Sequence, residues 1–429
     1  MSAGNTDIEE WLLQTINRKQ GYLELENQLL AEQVIDVRLK VKKALNEKIN
    51  VVFVCQRPQI WGSLKSVYEA FLKDDHFNVT IVTIPTKKQL PEIGLSHEIY
   101  ASEGAEDFWS AENPVHGYNY ATGEWLDLRQ LNPDYLFFQT PYNVTRSDKF
   151  KSQKVATYSK ICYVSYGLQV IGGYICESVY PKDFMYNVSL FFLMDSFSEK
   201  EIREWFAENN NWYTRCFMTG CTRFDNIDSY RGIESSSWPH SHYNRFRIVW
   251  TPRWATDEGI CTYYDYKDIL LNWVKDHPDV DFVFRPHPQM YLNFLANEGT
   301  SQEQIDAIEK HFKEDPQLAI EHTPDFLPTF YSSDCMVTDA TSLMAEYIMT
   351  GKPIVYCHKK DVFSELGHYI SQGFYYVNNE DELIDTLQML KRGEDPLFQK
   401  RQEIIKNLRG DKTNVGEKIK DIILQDAMK

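Results

Sequence analysis

Apolar residues recur at spacings of three, four and seven along the first part of the chain, at Ile8, Trp11, Leu12, Ile16, Leu23, Leu30, Val34, Val37 and Val41. Charged residues lie between them and no proline interrupts, so the period predicts a helix over residues 8–48 with Gly21 as its one weak point. A helix of this kind serves as a coiled coil, a partner helix, a lid on the main body, or a helix packed on its own domain.

From Asn50 the pattern changes to short apolar runs separated by amphipathic stretches. Val51–Cys55, Val79–Pro85, Asp134–Phe138 and Ile161–Val164 read as strands, with helical spacing from Trp61 to Leu72. Continuous apolar runs suit strands covered on both faces, as in parallel sheets. Strand and helix in alternation mean βαβ units and a doubly wound sheet. Residues 226–246 are polar and aromatic, with Ser235-Ser236-Ser237-Trp238-Pro239-His240-Ser241-His242 at their centre, which is linker composition.

The alternation then restarts. Arg247–Trp250, Asp281–Phe284, Leu318–Ile320, Cys335–Thr338 and Pro353–Cys357 read as strands, Tyr263–Lys275 and Ser342–Met349 as helices, and two or three amphipathic helices follow from Asp381. The resulting expectation is an α/β chain of two Rossmann-like, doubly wound parallel-sheet domains facing a cleft. Its parts are an N-terminal helical extension (1–48), a first Rossmann-like acceptor domain (49–230), a linker (231–246), a second, nucleotide-donor domain (247–410) and a C-terminal helix (411–429). Ligands are expected at the carboxyl ends of the strands.

Composition narrows the function. The 429 residues carry 45 Lys and Arg against 62 Asp and Glu, a formal net charge of −17. Phosphate backbones are held by a surplus of cations, so a general nucleic-acid binder is not expected. No apolar run approaches the roughly 18 residues of a membrane span, and the N-terminus lacks a signal-peptide pattern. A cytoplasmic protein is expected, with peripheral contact to the inner face of the membrane left open. Cysteines 55, 162, 176, 216, 221, 261, 335 and 357 form no CxxC pair and are read as reduced thiols, mostly buried. No metal motif stands out, so no obligatory metal or other cofactor is expected beyond an activated donor substrate.

Three turns of the second half follow strands and bring chemistry to their carboxyl ends. Phe284-Arg285-Pro286-His287-Pro288 fixes a histidine between two prolines, which suits a side chain aimed at a fixed anionic group. Val337-Thr338-Asp339-Ala340-Thr341-Ser342 runs into the predicted helix, where Thr341 or Ser342 would be the N-cap of an anion-binding helix start. Glu346 lies one turn above Ser342. Trp250-Thr251-Pro252-Arg253-Trp254 places a cation between aromatics, ready to clamp phosphate or stack on a base. The three together point to a nucleotide diphosphate.

These residues carry a resemblance. The second half resembles the bacterial CDP-glycerol glycerophosphotransferase family, the poly(glycerol phosphate) and teichoic-acid polymerases and primases. Thr219-Gly220-Cys221-Thr222-Arg223-Phe224-Asp225 is similar to the family's TGxPRxD. Ile248 to Trp254 is similar to its xxYxPTWR, and Arg285-Pro286-His287-Pro288 to its RPHP. Thr338 to Glu346 with Lys352-Pro353-Ile354-Val355-Tyr356 is similar to TDYSSxxFD and KPIIFY. The match runs over about residues 219–357.

The resemblance implies a GT-B fold and a donor site in which Arg285, His287, Thr341 and Ser342 contact phosphates, and the turn at Arg253 is expected to add its cation to the same site. By the same resemblance Glu346 holds the ribose or acceptor side, and Arg223 and Asp225 lie at the domain junction. The first half departs from the family. Its Trp-His-Gly-Thr-Pro loop has as equivalents Val164-Ser165-Tyr166-Gly167-Leu168 or Gln139-Thr140-Pro141-Tyr142-Asn143, and neither contains a histidine. Tyr166 is the candidate catalytic residue there alongside His287, but an ordinary tyrosine pKa near ~10 makes it a poor base, and the base stays unassigned.

The expected activity is transfer of a polyol phosphate from a CDP-glycerol-like donor to a cell-surface polysaccharide or teichoic-acid-like acceptor, releasing CMP. Two alternatives stay open. One is a GT-B glycosyltransferase using a CMP- or UDP-sugar in capsule or lipopolysaccharide synthesis. The other is a non-catalytic GT-B subunit docked to a partner through its N-terminal helix. The acceptor is expected to be a polysaccharide or lipid-linked glycan, and the same helix would mediate any homo-oligomer.

Overall fold

The computed structural model describes residues 3–88, 99–102, 104–172, 179–208, 211, 213–241, 244–410 and 414–429. Cys176 and His242 lie outside them. The chain divides into two compact units: Met1–Tyr166, Cys176–Thr222 and Asn414–Lys429 form unit 1, and Gly167–Ile175 with Arg223–Thr413 form unit 2.

Unit 1 is built on a seven-stranded parallel sheet. Its strands are β1 (Ile49–Cys55), β2 (Phe77–Thr83), β3 (Val115–His116), β4 (Tyr135–Phe138), β5 (Lys160–Val164), β6 (Val188–Leu193) and β7 (Arg215–Met218), in the order β7-β6-β5-β4-β1-β2-β3. In β1, Val51 to Cys55 are all buried, as a strand covered on both faces requires. Phe53 stacks on Phe137 of β4 with ring centroids 4.8 Å apart. The expected helix from Trp61 is shorter than its periodicity suggested: a 3₁₀ turn, Pro58–Ser63, precedes helix α2 (Lys65–Leu72).

Helix α1 (Ala3–Leu45) matches the predicted N-terminal helix. It is fastened to unit 1 mainly by ions. Arg38 and Lys42 reach the buried carboxylate of Asp134, at 2.8 Å and 2.5 Å, while Ile35 and Leu39 are buried between the charges.

The last helix, α7 (Val415–Ala427), belongs to unit 1 and packs on α2. Gly416 makes that approach possible, since a Cβ there would lie 2.3 Å from the Ser66 carbonyl oxygen. Asp426 of this helix accepts from the Tyr135 hydroxyl at 2.8 Å and pairs with Lys160 at 2.7 Å and Arg215 at 2.6 Å. Burial pushes the Asp426 carboxyl up, but Lys160 and Arg215 outweigh it and hold the group at about 2.

Unit 2 holds a six-stranded parallel sheet: β8 (Phe246–Thr251), β9 (Val280–Phe284), β10 (Leu318–Ile320), β11 (Cys335–Thr338), β12 (Ile354–Cys357) and β13 (Phe374–Val377). The order β10-β9-β8-β11-β12-β13 is that of a dinucleotide-binding sheet, reversing direction between β8 and β11. Its core gathers Trp250, Tyr263, Phe284, Leu270, Val337 and Val355, with Trp250 stacked on Tyr263 at 5.1 Å. Helix α3 (Tyr263–Lys275) forms as predicted, and of the two or three late helices expected the structure has three, α5 (Glu380–Lys391), α6 (Phe398–Arg409) and α7.

The polar stretch read as a linker is folded onto unit 2. Its Trp238 is buried and donates from Nε1 to Ser332 Oγ at 2.7 Å, and Ser235 bonds Thr329 at 2.7 Å. Seven described cysteines are free thiols, six of them buried and Cys216 half-buried. The aromatic pair Tyr118–Asn119 and Glu124–Trp125 forms a small antiparallel hairpin. Among the described residues no helix is long and apolar enough to cross a membrane.

Candidate functional site

The reversal point of the second sheet is where side chains from successive strand ends meet. Thr251 ends β8 and Thr338 ends β11, in register with one another. Their hydroxyls bond at 3.0 Å, and Thr338 Oγ1 also donates to the Thr251 carbonyl at 2.7 Å. This ties the two strand ends together just below the loops that carry the candidate residues.

The loop after β8 is clamped by Asp339, the first residue after β11. One carboxylate oxygen accepts from the Arg253 backbone N–H at 2.5 Å. The other accepts from the Thr262 N–H at 2.7 Å and the Thr262 hydroxyl at 2.9 Å. Burial pushes the Asp339 carboxyl up to about 6, although the Thr262 and Arg253 donors pull the other way. Asp339 thus sets the shape of residues 253–262 from beneath.

That clamp presents a flat surface above it. The rings of Trp254 and His287 stack, centroids 5.8 Å apart and 27° between planes. His287 is exposed, and its Nδ1 accepts the Gln289 backbone N–H at 3.1 Å. An accepting Nδ1 places the proton of a neutral imidazole on Nε2, which is then the donor. The rigid Pro286-His287-Pro288 backbone therefore holds a ring that is both an aromatic face and an N–H donor.

The two arginines differ. Arg253 Nε and NH2 hold Glu258 at 2.6 Å and 2.5 Å, and NH1 donates to the Ala340 carbonyl at 3.3 Å. Its guanidinium sits over the Trp254 ring, at the surface of the site. Arg285 is turned away and used in packing: it pairs with the buried Glu321 at 3.2 Å, donates to the Thr323 carbonyl at 3.0 Å and covers the Phe326 ring.

The predicted helix start is displaced. The helix begins at Met344, not Ser342, and α4 (Met344–Tyr347) is one turn continued by a 3₁₀ turn, Ile348–Thr350. Leu343 occupies the N-cap without a side-chain bond, so neither Thr341 nor Ser342 caps it. The Thr341 N–H turns back to the Asp339 carbonyl at 2.8 Å, and this tight turn delays the helix by two residues. Ser342 is exposed on that turn.

Glu346 is buried, and Arg223 pairs with it at 3.0 Å. Burial raises the Glu346 carboxyl and Arg223 opposes the rise. The boundary between the units falls between Thr222 and Arg223, with Asp225 half-buried two residues on. Lys352 of the KPIIFY-like segment lies at the amino end of β12, the opposite edge of the sheet. It donates to the Tyr331 and Ser333 carbonyls, and burial pulls its ammonium down to about 8.

In unit 1, Tyr166 is half-buried at the end of β5, its hydroxyl 2.9 Å from that of Tyr142. Burial and Tyr166 itself push the Tyr142 hydroxyl well up, so Tyr142 stays protonated at neutral pH. Among the described residues no cluster of three or more His, Cys, Asp or Glu side chains is placed to hold a metal ion.

No protein-family model matches the chain, and no curated protein matches it in sequence. Solved structures match it in fold. A UDP-N-acetylglucosamine 2-epimerase is 14% identical, with a TM-score of 0.57 over 89% of this chain and 97% of that one. The Neisseria meningitidis UDP-GlcNAc 2-epimerase bound to UDP-GlcNAc is 13% identical, with a TM-score of 0.56 over 88% and 100%. A variant of the wall teichoic acid polymerase TagF soaked with CDPG is 14% identical, with a TM-score of 0.51 over 93% and 98%.

The fold is GT-B. Within this GT-B chain the second Rossmann-like unit brings Arg253, His287, Thr341 and Ser342 to one edge. It places Arg285 and Glu346 in buried ion pairs instead. Sequence reasoning missed Trp254 as the partner of His287 and Thr262 as a partner of Asp339. An aspartate at the end of an apolar strand was the available signal for the clamp, since such a group is costly unless hydrogen-bonded.

Proposed function

We propose that the protein is a transferase that takes a polyol phosphate from a cytidine-activated donor of the CDP-glycerol kind. An acceptor hydroxyl oxygen attacks the donor's β-phosphorus as the bond from that phosphorus to the CMP oxygen breaks. CMP leaves and the hydroxyl proton passes to a base that no residue is assigned to. The observation that supports this best is the stacked Trp254–His287 pair at the reversal point of the second sheet, within the motif order of the glycerophosphotransferases.

In this reading the His287 Nε2–H donates to a phosphate oxygen and the paired rings offer a stacking face. Arg253, next to them, supplies positive charge once Glu258 yields it. The Thr341–Ser342 turn offers hydroxyls to the same phosphates, and Tyr166 hydrogen-bonds the acceptor hydroxyl. Such a transfer needs positioning and charge stabilisation more than covalent chemistry from the protein. Arg285, Glu346, Arg223 and Asp225 act as supports. The acceptor is proposed to be a polysaccharide or lipid-linked glycan.

A second reading, a UDP-sugar enzyme using the same edge, is favoured by the fold match to UDP-N-acetylglucosamine 2-epimerases. Thermal melting with CDP, CMP, CDP-glycerol, UDP and UDP-N-acetylglucosamine separates the two. A ligand that binds only the folded protein raises its melting point by mass action. Stabilisation by the cytidine compounds alone, with CMP released from CDP-glycerol, supports the first reading. Stabilisation by the uridine compounds alone supports the second, and no response to any of them sinks both.

A further inference from the structure

Helix α1 carries a second stripe that its own unit does not cover. Leu23, Leu30, Val34, Val37 and Val41 are each more than half exposed, Val34 at 70%. They lie on the side of the helix opposite Ile35 and Leu39, which are buried against unit 1. At 1.5 Å per residue the 43-residue helix is about 65 Å long, and among the described side chains its hydrogen bonds to the unit begin at Gln28.

The exposed stripe has a coiled-coil register. Leu23, Asn27, Leu30, Val34, Val37, Val41 and Ala44 alternate steps of four and three, a strict seven-residue repeat. Taking Asn27, Val34 and Val41 as a positions makes Leu23, Leu30, Val37 and Ala44 d positions. Val34 and Val41 at a with Leu23 and Leu30 at two of the four d positions favour two parallel strands, and the single Asn27 at a fixes their register. The b, c and f positions, among them Gln28, Glu32, Asp36 and Leu39, face unit 1, and Arg38 at an e position reaches Asp134 beside them. Five side chains over half exposed, met by the same five from another helix, approach the ~1,000 Å² that a specific interface must clear.

We propose that this face binds the same face of a second copy of the chain, forming a parallel, in-register two-stranded coiled coil. Each helix then holds its own unit on one side and its partner helix on the other. The register is self-complementary, which is why the occupant is another copy and not an unrelated protein or a lipid surface.

Sedimentation velocity of the full chain at micromolar concentration tests this. The expected species has twice the 50.4 kDa chain mass. Val34→Glu with Val37→Glu is expected to halve that mass while keeping the helical circular-dichroism signal, because both positions are exposed in the single chain. Mild oxidation of Val34→Cys is expected to give a covalent dimer absent from identically treated wild type, since a positions meet their own counterparts only in the parallel arrangement. A monomeric wild type, a dimer that survives the double glutamate substitution, or a Val34→Cys dimer that does not cross-link would each overturn the proposal.

Discussion

The guanidinium of Arg223 lies 3.0 Å from the carboxylate of Glu346, and both side chains are almost shut off from water. They come from motifs over a hundred residues apart, and neither would be tolerated alone. Removing one member of a buried pair strands the other charge, typically at about 3–5 kcal/mol. Arg223→Ala should therefore destabilise the protein by that order in urea denaturation. Adding Glu346→Gln should recover most of the loss, because no buried charge is then left over. Equal losses in the single and double variants would mean that the pair is not coupled.

His287 is exposed, so its removal should leave stability unchanged within about 0.5 kcal/mol. Its cost should appear in ligand binding. A hydrogen bond to a charged group contributes about 1.5–3 kcal/mol, so His287→Ala should weaken cytidine diphosphate roughly 10- to 100-fold. Titration calorimetry reads the change directly. An unaltered affinity would remove His287 from the donor site.

Asp339 gives a pH signature with a definite sign. Its folded pKa, pushed up to about 6, lies above the ordinary aspartate value near ~3.9. Between those values the folded state binds the extra proton, so this group's contribution is full below about pH 4 and is lost as pH rises through 6. The stability difference between wild type and Asp339→Asn should fall by up to about 3 kcal/mol across that window and stay level above it. Denaturant midpoints at several pH values from 4 to 7 check this, and a flat difference would reject it.

Gly416→Ala pits two effects against each other. Alanine improves helix propensity by about 1 kcal/mol over glycine. The new methyl, however, would press on the Ser66 carbonyl at 2.3 Å and on backbone that cannot swing aside. Overpacking of this kind costs about 1–3 kcal/mol, so the melting temperature should drop. A rise would show that α7 and α2 can separate freely.

The two sheets were legible because buried parallel strands announce themselves: Val51–Cys55 and Cys335–Val337 are unbroken apolar runs, and every residue in them is buried. The placement of α7 was not. Its amphipathic pattern says that one face is covered but not by which sheet, and only Gly416 marks the close neighbour. The helix start at Met344 was misread because Thr341 and Ser342 have cap chemistry, whereas the turn back to Asp339 depends on partners 77 and 86 residues away. Arg285 looked like a phosphate ligand for a similar reason, since nothing near it in sequence reveals Glu321 just past the end of the neighbouring strand.

The position of α7 also orders the making of the protein. Domains ordinarily fold one after another as the chain leaves the ribosome. Here the helix that adds Asp426 to the ion pairs of Lys160 and Arg215 and seats on α2 is synthesised after the whole of unit 2. Until then Lys160 and Arg215 have only the α1 carboxylates of Asp36 and Glu32 as partners, and the flank over α2 is bare. The first unit to begin is thus the last to close, and a chain stalled before residue 415 would expose it to chaperones and proteases.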